Sequence, residues 1–174
     1  MLASTVTLSR VILALLAFHD ILHKKLLSAA VYIAAGALTD FLDGFIARKF
    51  GQKTRLGAHL DHLVDKFFVL LVLWAFVIEG EVSHWIFYPL ALREVGIVLL
   101  RFYGFAAPVN NLGKIKTTVE FVALLTLCWE PFLGNLLLGT ALLLAYLSAY
   151  EYVRKPLNLP ALPFFSRSSS AHLS

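Results

Sequence analysis

Residues 40–65 read DFLDGFIARKFGQKTRLGAHLDHLVD, and this stretch decides the fold because of the apolar sequence it interrupts. Asp40 and Asp43 are three apart and Asp61 and Asp65 four apart, so on helices each pair shares one face. Gly57 lies one turn before Asp61 on that same face. Between the pairs, Arg48, Lys49, Gly51, Lys53 and Arg55 read as a short polar turn. Two helices meeting through that turn would bring both carboxylate pairs together.

The surrounding chain is far more apolar than a soluble domain. Of its 174 residues 59% are hydrophobic, with a mean hydropathy of +0.78, against an apolar share of about 45–50% in ordinary globular proteins. The composition predicts an all-α integral membrane protein. One cysteine, Cys128, excludes a disulfide framework within the chain. No basic segment precedes the first apolar run and no small-residue cleavage site follows it, so that run is expected to be retained as a helix. The net charge of +4 does not point to nucleic acid, because the basic residues lie mostly in short turns between apolar segments. They fit topology signals and contacts to anionic headgroups.

A span of the hydrocarbon takes about 20 apolar residues, and six segments qualify as candidates: 5–18, 26–47, 58–78, 84–105, 115–132 and 135–153. The first is short and carries Arg10. Tight connections, as at Glu79-Gly80-Glu81 and Glu130-Pro131, make neighbouring helices antiparallel. With a cytoplasmic N-terminus, Arg48, Lys49, Lys53, Arg55, Lys114, Lys116, Arg154, Lys155 and Arg167 fall inside and only Lys24 and Lys25 outside. This bias predicts a multi-pass, bacterial-type inner-membrane protein with both termini and a polar cavity facing the cytoplasm. Residues 1–158 form the membrane domain; 159–174, rich in proline and serine, read as an interfacial or disordered tail.

Charge inside such a bundle needs a reason. Each ionised side chain at the bilayer centre costs about 2.5–3.5 kcal/mol on insertion scales. Pairing accounts for an isolated Arg93 and Glu94, but clustered carboxylates repel by roughly 3 kcal/mol at 5 Å and an effective dielectric of 20. A cation between the four aspartates resolves this, and carboxylate oxygens select hard ions such as Mg2+, Ca2+ or Mn2+. Gly44 and Ala47 leave a notch beside them, read either as small-residue helix packing or as room for a ligand, with Arg48 at its rim as a phosphate-binding fork.

Asp40, Asp43, Gly44, Ala47, Arg48, Gly57, Asp61 and Asp65 reproduce the D-x2-D-G-x2-A-R-x8-G-x3-D-x3-D signature, and in this the chain resembles the CDP-alcohol phosphotransferases. The resemblance implies a six-helix membrane enzyme, usually a homodimer, that moves a substituted phosphoryl group from a CDP-linked donor to an alcohol and releases CMP. It implies two divalent ions, Mg2+ or Mn2+, on Asp40, Asp43, Asp61 and Asp65, with Asp65 also the general base. Asp43, Gly44, Ala47, Arg48 and Gly57 would then hold the CDP donor.

A second block bears on the acceptor. Arg93 and Arg101 lie eight apart, near two helical turns, with Glu94 beside them, and Lys114 and Lys116 follow in the next turn. Ordinary ion pairing and the positive-inside bias explain them singly; together they predict a basic pocket for an anionic acceptor. The run REVGIVLLR at 93–101, GKIKTT at 113–118 and TLSR at 7–10 resemble the bacterial phosphatidylglycerophosphate synthase branch. That implies CDP-diacylglycerol and sn-glycerol 3-phosphate as substrates. His62 departs from the proline common in that branch. Inositol phosphate, serine or phosphatidylglycerol as acceptor, a divalent-cation transporter and an inactive homologue are the competing readings.

Overall fold

The computed structural model describes the backbone of residues 2–50, 55–102 and 111–154, and the side chains of 9–39, 63–100 and 115–150. Among the described residues there are six helices and no strand: α1 Leu2–Leu22, α2 Leu26–Phe50, α3 Arg55–Ile78, α4 His84–Phe102, α5 Asn111–Leu127 and α6 Pro131–Arg154. The expected order is met, but several bounds move. The first helix reaches Leu22 instead of ending near Phe18, which gives it 21 residues. The fifth stops at Leu127 and the sixth starts at Pro131 rather than Asn135. Proline at the first helical position has no N–H to lose, so it starts a helix. The amides of Cys128, Trp129 and Glu130 meanwhile fold back on Leu125 and Thr126 to close α5. Residues 159–174 lie outside the described residues.

Local rules explain the other ends. At the end of α3, Gly80 has φ +77°, its amide bonds to Val77 O and that of Glu81 to Phe76 O, the Schellman arrangement that glycine favours. The end of α1 is closed identically by Lys24 N to Ile21 O and Lys25 N to Asp20 O, with Lys24 at φ +57°. Ser83 caps α4: its carbonyl accepts from Ile86 and Phe87 and its hydroxyl from Trp85 N.

α3 is the hub. It packs against α1, α4 and α5, and its Phe68, Val72, Leu73 and Phe76 lie in the main core with Ile21, Ile33, Leu90 and Leu124. Phe68 stacks toward Phe121 of α5 at 5.8 Å and Trp74 toward Phe87 of α4 at 5.0 Å. α2 meets α3 where Gly36 faces the Phe68 ring so closely that a Cβ on it would come within 2.5 Å. Gly36 is 14 residues before the end of α2 and Phe68 13 after the start of α3. At about 1.5 Å per residue each lies roughly 20 Å from the connection, so the two helices run antiparallel as a hairpin.

One helical segment among the described residues, Pro131–Tyr150, is both long and apolar enough to cross a membrane; Leu26–Thr39 is apolar but shorter. Ionised residues lie within several of the other helices: Arg10 in α1, Asp65 and Lys66 in α3, Arg93 and Glu94 in α4, Lys116 and Glu120 in α5.

Candidate active site

The hairpin geometry levels the aspartates. Asp40 stands ten residues before the end of α2 and Asp65 ten after the start of α3, each about 15 Å from the connection by helical rise. Asp43 and Asp61 stand seven and six residues from it. The close approach of Gly36 and the Phe68 ring lies one turn beyond Asp40 and Asp65 along the two helices. The side chains of Asp40, Asp43, Gly44, Ala47, Arg48, Gly57, Asp61, Arg101 and Lys114 lie outside the described residues. By residue type, four carboxylates with no thiolate among them suit a hard divalent ion.

Asp65 is described. Its Oδ1 accepts a hydrogen bond from Arg10 Nη1 at 2.5 Å, with Arg10 only 1% exposed and Asp65 19%. The arginine that makes α1 a doubtful span is thus neutralised within the bundle. A charge-assisted bond of this length fixes the carboxylate's orientation.

The acceptor candidates Arg93 and Lys116 converge on one residue. Arg93 Nη1 donates to Glu94 Oε1 at 2.6 Å and its Nε to Ala145 O of α6 at 3.1 Å. Lys116 Nζ donates to the same Glu94 oxygen and pairs with Glu120 at 2.5 Å. Lys66 pairs with Glu94 Oε2. Glu94, Lys116 and Glu120 are all but fully buried, and Glu120 Oε2 has no hydrogen-bond partner among the described residues. Sequence reasoning overlooked Lys66 and Glu120. Lys66 follows Asp65 directly and Glu120 lies four residues after Lys116, one turn on; both spacings were legible signals.

The arrangement offers two adjoining centres on the hub helix: a carboxylate at Asp65 toward α1, and a buried cationic cluster at Lys66 toward α4 and α5. Together they set a part-buried carboxylate held by an arginine next to a buried cluster with an excess of cations.

Residues 1–147 match the family model described as CDP-alcohol phosphatidyltransferase. A "CDP-diacylglycerol--glycerol-3-phosphate 3-phosphatidyltransferase" from Sodalis glossinidius is 35% identical over 164 residues, covering 84% of this chain and 90% of that protein. The protein of that name from Escherichia coli K12 is similar to the same extent. That from Wigglesworthia glossinidia brevipalpis is 37% identical over 139 residues, 72% of this chain and 75% of the relative.

Proposed function

The chain belongs to the CDP-alcohol phosphatidyltransferase family, and from that premise we propose that it transfers the phosphatidyl group of CDP-diacylglycerol to sn-glycerol 3-phosphate. The products are phosphatidylglycerophosphate and CMP. The observation that carries the acceptor is the buried gathering of Lys66, Arg93 and Lys116 around Glu94, one residue along α3 from Asp65. Three cations against two carboxylates leave a net positive site, which favours a phosphorylated alcohol over an uncharged one such as serine.

In this reading the acceptor hydroxyl loses its proton to the Asp65 carboxylate as its oxygen attacks the lipid-bearing phosphorus. The bond from that phosphorus to the CMP oxygen breaks, and CMP departs as the leaving group. Arg10 keeps the Asp65 carboxylate aimed while the proton moves. Asp40, Asp43, Asp61 and Asp65 would hold two divalent ions, Mg2+ or Mn2+, which when bound neutralise charge on the donor's pyrophosphate. Asp43, Gly44, Ala47, Arg48 and Gly57 would seat the CDP moiety, and Arg101 and Lys114 would complete the acceptor site.

The same reading makes the six helices a membrane bundle, working as a homodimer with both termini and the active site cytoplasmic. Support comes from an inverted surface: Leu27, Val31, Leu92 and Leu143 are more than half exposed while Arg10, Glu94, Lys116 and Glu120 are buried. Lipid accepts the first group and only a bundle interior the second. α2 is 25 residues long, about 37 Å of helix, enough to cross the hydrocarbon, with Asp40 and Asp43 in its second half.

The test is an acceptor profile. Purified protein in lipid nanodiscs, given CDP-diacylglycerol and Mg2+, should release CMP with glycerol 3-phosphate and little with inositol phosphate, serine or phosphatidylglycerol. Consumption of inositol phosphate with glycerol 3-phosphate ignored would overturn the acceptor; divalent-cation flux in liposomes with no CMP release from any acceptor would overturn the reaction.

A further inference from the structure

We propose that Lys66 is an acceptor-recognition residue, parked on Glu94 in the resting enzyme and transferred to the acceptor's phosphate on binding; the proposal rests on the phosphorylated-acceptor reading above. Three cationic groups share Glu94, and they are not tied equally. Arg93 is held by Glu94 and by the Ala145 carbonyl. Lys116 is held by Glu94 and Glu120 and is 1% exposed. Lys66 has Glu94 as its one described partner and is the most accessible of the three, at 12%. A lysine ammonium on a four-carbon stem can exchange one oxygen partner for another by rotation, which a guanidinium anchored at two points cannot.

Position agrees with release. Lys66 adjoins Asp65 on α3, about 100° further round the helix, so the two leave the same level toward different neighbours. Asp65 meets Arg10 of α1 and Lys66 meets Glu94 of α4. A short phosphorylated polyol can therefore place its hydroxyl at Asp65 and its phosphate at Lys66, with Lys116 and Arg93 behind. When the phosphate arrives, Glu94 keeps its two firmly held cations and the Lys66 charge is passed to the ligand. Glu94 is accordingly a positioning residue, and Lys66 touches substrate.

The experiment is steady-state kinetics of the full-length enzyme in nanodiscs, with Lys66→Met and Lys66→Arg. Lys66→Met should raise the KM for glycerol 3-phosphate at least tenfold and weaken inhibition by inorganic phosphate in parallel, with the KM for CDP-diacylglycerol within twofold of wild type. Lys66→Arg should recover most of the acceptor affinity. An acceptor KM and phosphate inhibition unchanged in Lys66→Met would overturn the inference, as would equal weakening of donor and acceptor. If Lys66→Met does not fold, Lys66→Gln decides through phosphate inhibition: weakened inhibition in the folded protein supports the role and unchanged inhibition contradicts it. Should wild type itself ignore glycerol 3-phosphate, the underlying reading fails first.

Discussion

The two ends of the bundle carry ion pairs of opposite kinds. At the end that holds the α1–α2 and α3–α4 turns, Lys24 reaches Glu79, and Asn135 Nδ2 donates to Glu81 O at 2.7 Å. Lys24 is 62% exposed, so water screens the pair and its loss should matter little. Deeper in, Arg10 with Asp65, and Glu94 with Lys66, Arg93 and Lys116, are shut away from solvent. Buried pairs seldom repay their desolvation in stability compared with apolar packing. Their presence on the hub helix, beside the signature aspartates, is better explained by chemistry than by architecture.

The contrast can be broken at several points. Chelating divalent ions should abolish CMP release, and Mn2+ should restore it while binding at about two equivalents per chain in an EPR titration, following the two-metal arrangement. Next in size is Glu94→Ala. Removing the shared anion leaves three cations facing one another, at a cost of about 3–5 kcal/mol, read as a fall in thermal unfolding temperature in detergent. Gly36→Ala sets overpacking of about 1–3 kcal/mol against a helix-propensity gain of up to about 1 kcal/mol. Phe68 is buried and its ring would have to move from a built Cβ at 2.5 Å, so net destabilisation is expected, with activity falling as α2 and α3 shift; Phe68→Leu in the same chain should relieve both. Smallest is Lys24→Ala, which should leave turnover intact and lower the unfolding temperature slightly, less so in high salt. The hydrogen bond that Lys24 donates to Glu79 raises the Lys24 pKa above 10.5, so this pair stabilises at neutral pH and is lost as pH rises through the raised value. Variant and wild type should therefore converge only in strong alkali.

Much of this was legible in sequence, for reasons that differ by element. The spacing of Asp40, Asp43, Asp61 and Asp65 carries its own geometry, since residues three or four apart share one face of a helix. Gly80 announced the end of α3, because glycine is the ordinary occupant of a positive φ. Lys24 announced nothing at the same position in α1, which is why that helix was read short. Glu130-Pro131 marked a turn, but apolar Phe132 beyond it blurred which helix owned it. Arg93 and Lys116 were identified as basic residues of the acceptor block; that Glu94 gathers them with Lys66 depends on contacts among α3, α4 and α5, which no local pattern encodes. Apolar runs alone also do not reveal how the buried charges within α3, α4 and α5 are neutralised, which only tertiary neighbours accomplish.

The central claim, that these buried charges serve a reaction, is tested most directly by Asp65→Asn in the purified enzyme, with CMP release and thermal unfolding measured on the same sample. The account predicts a loss of turnover of at least about 10²-fold, as for removal of a proton acceptor, in a protein that still unfolds cooperatively. Wild-type turnover in the folded Asp65→Asn protein would contradict it.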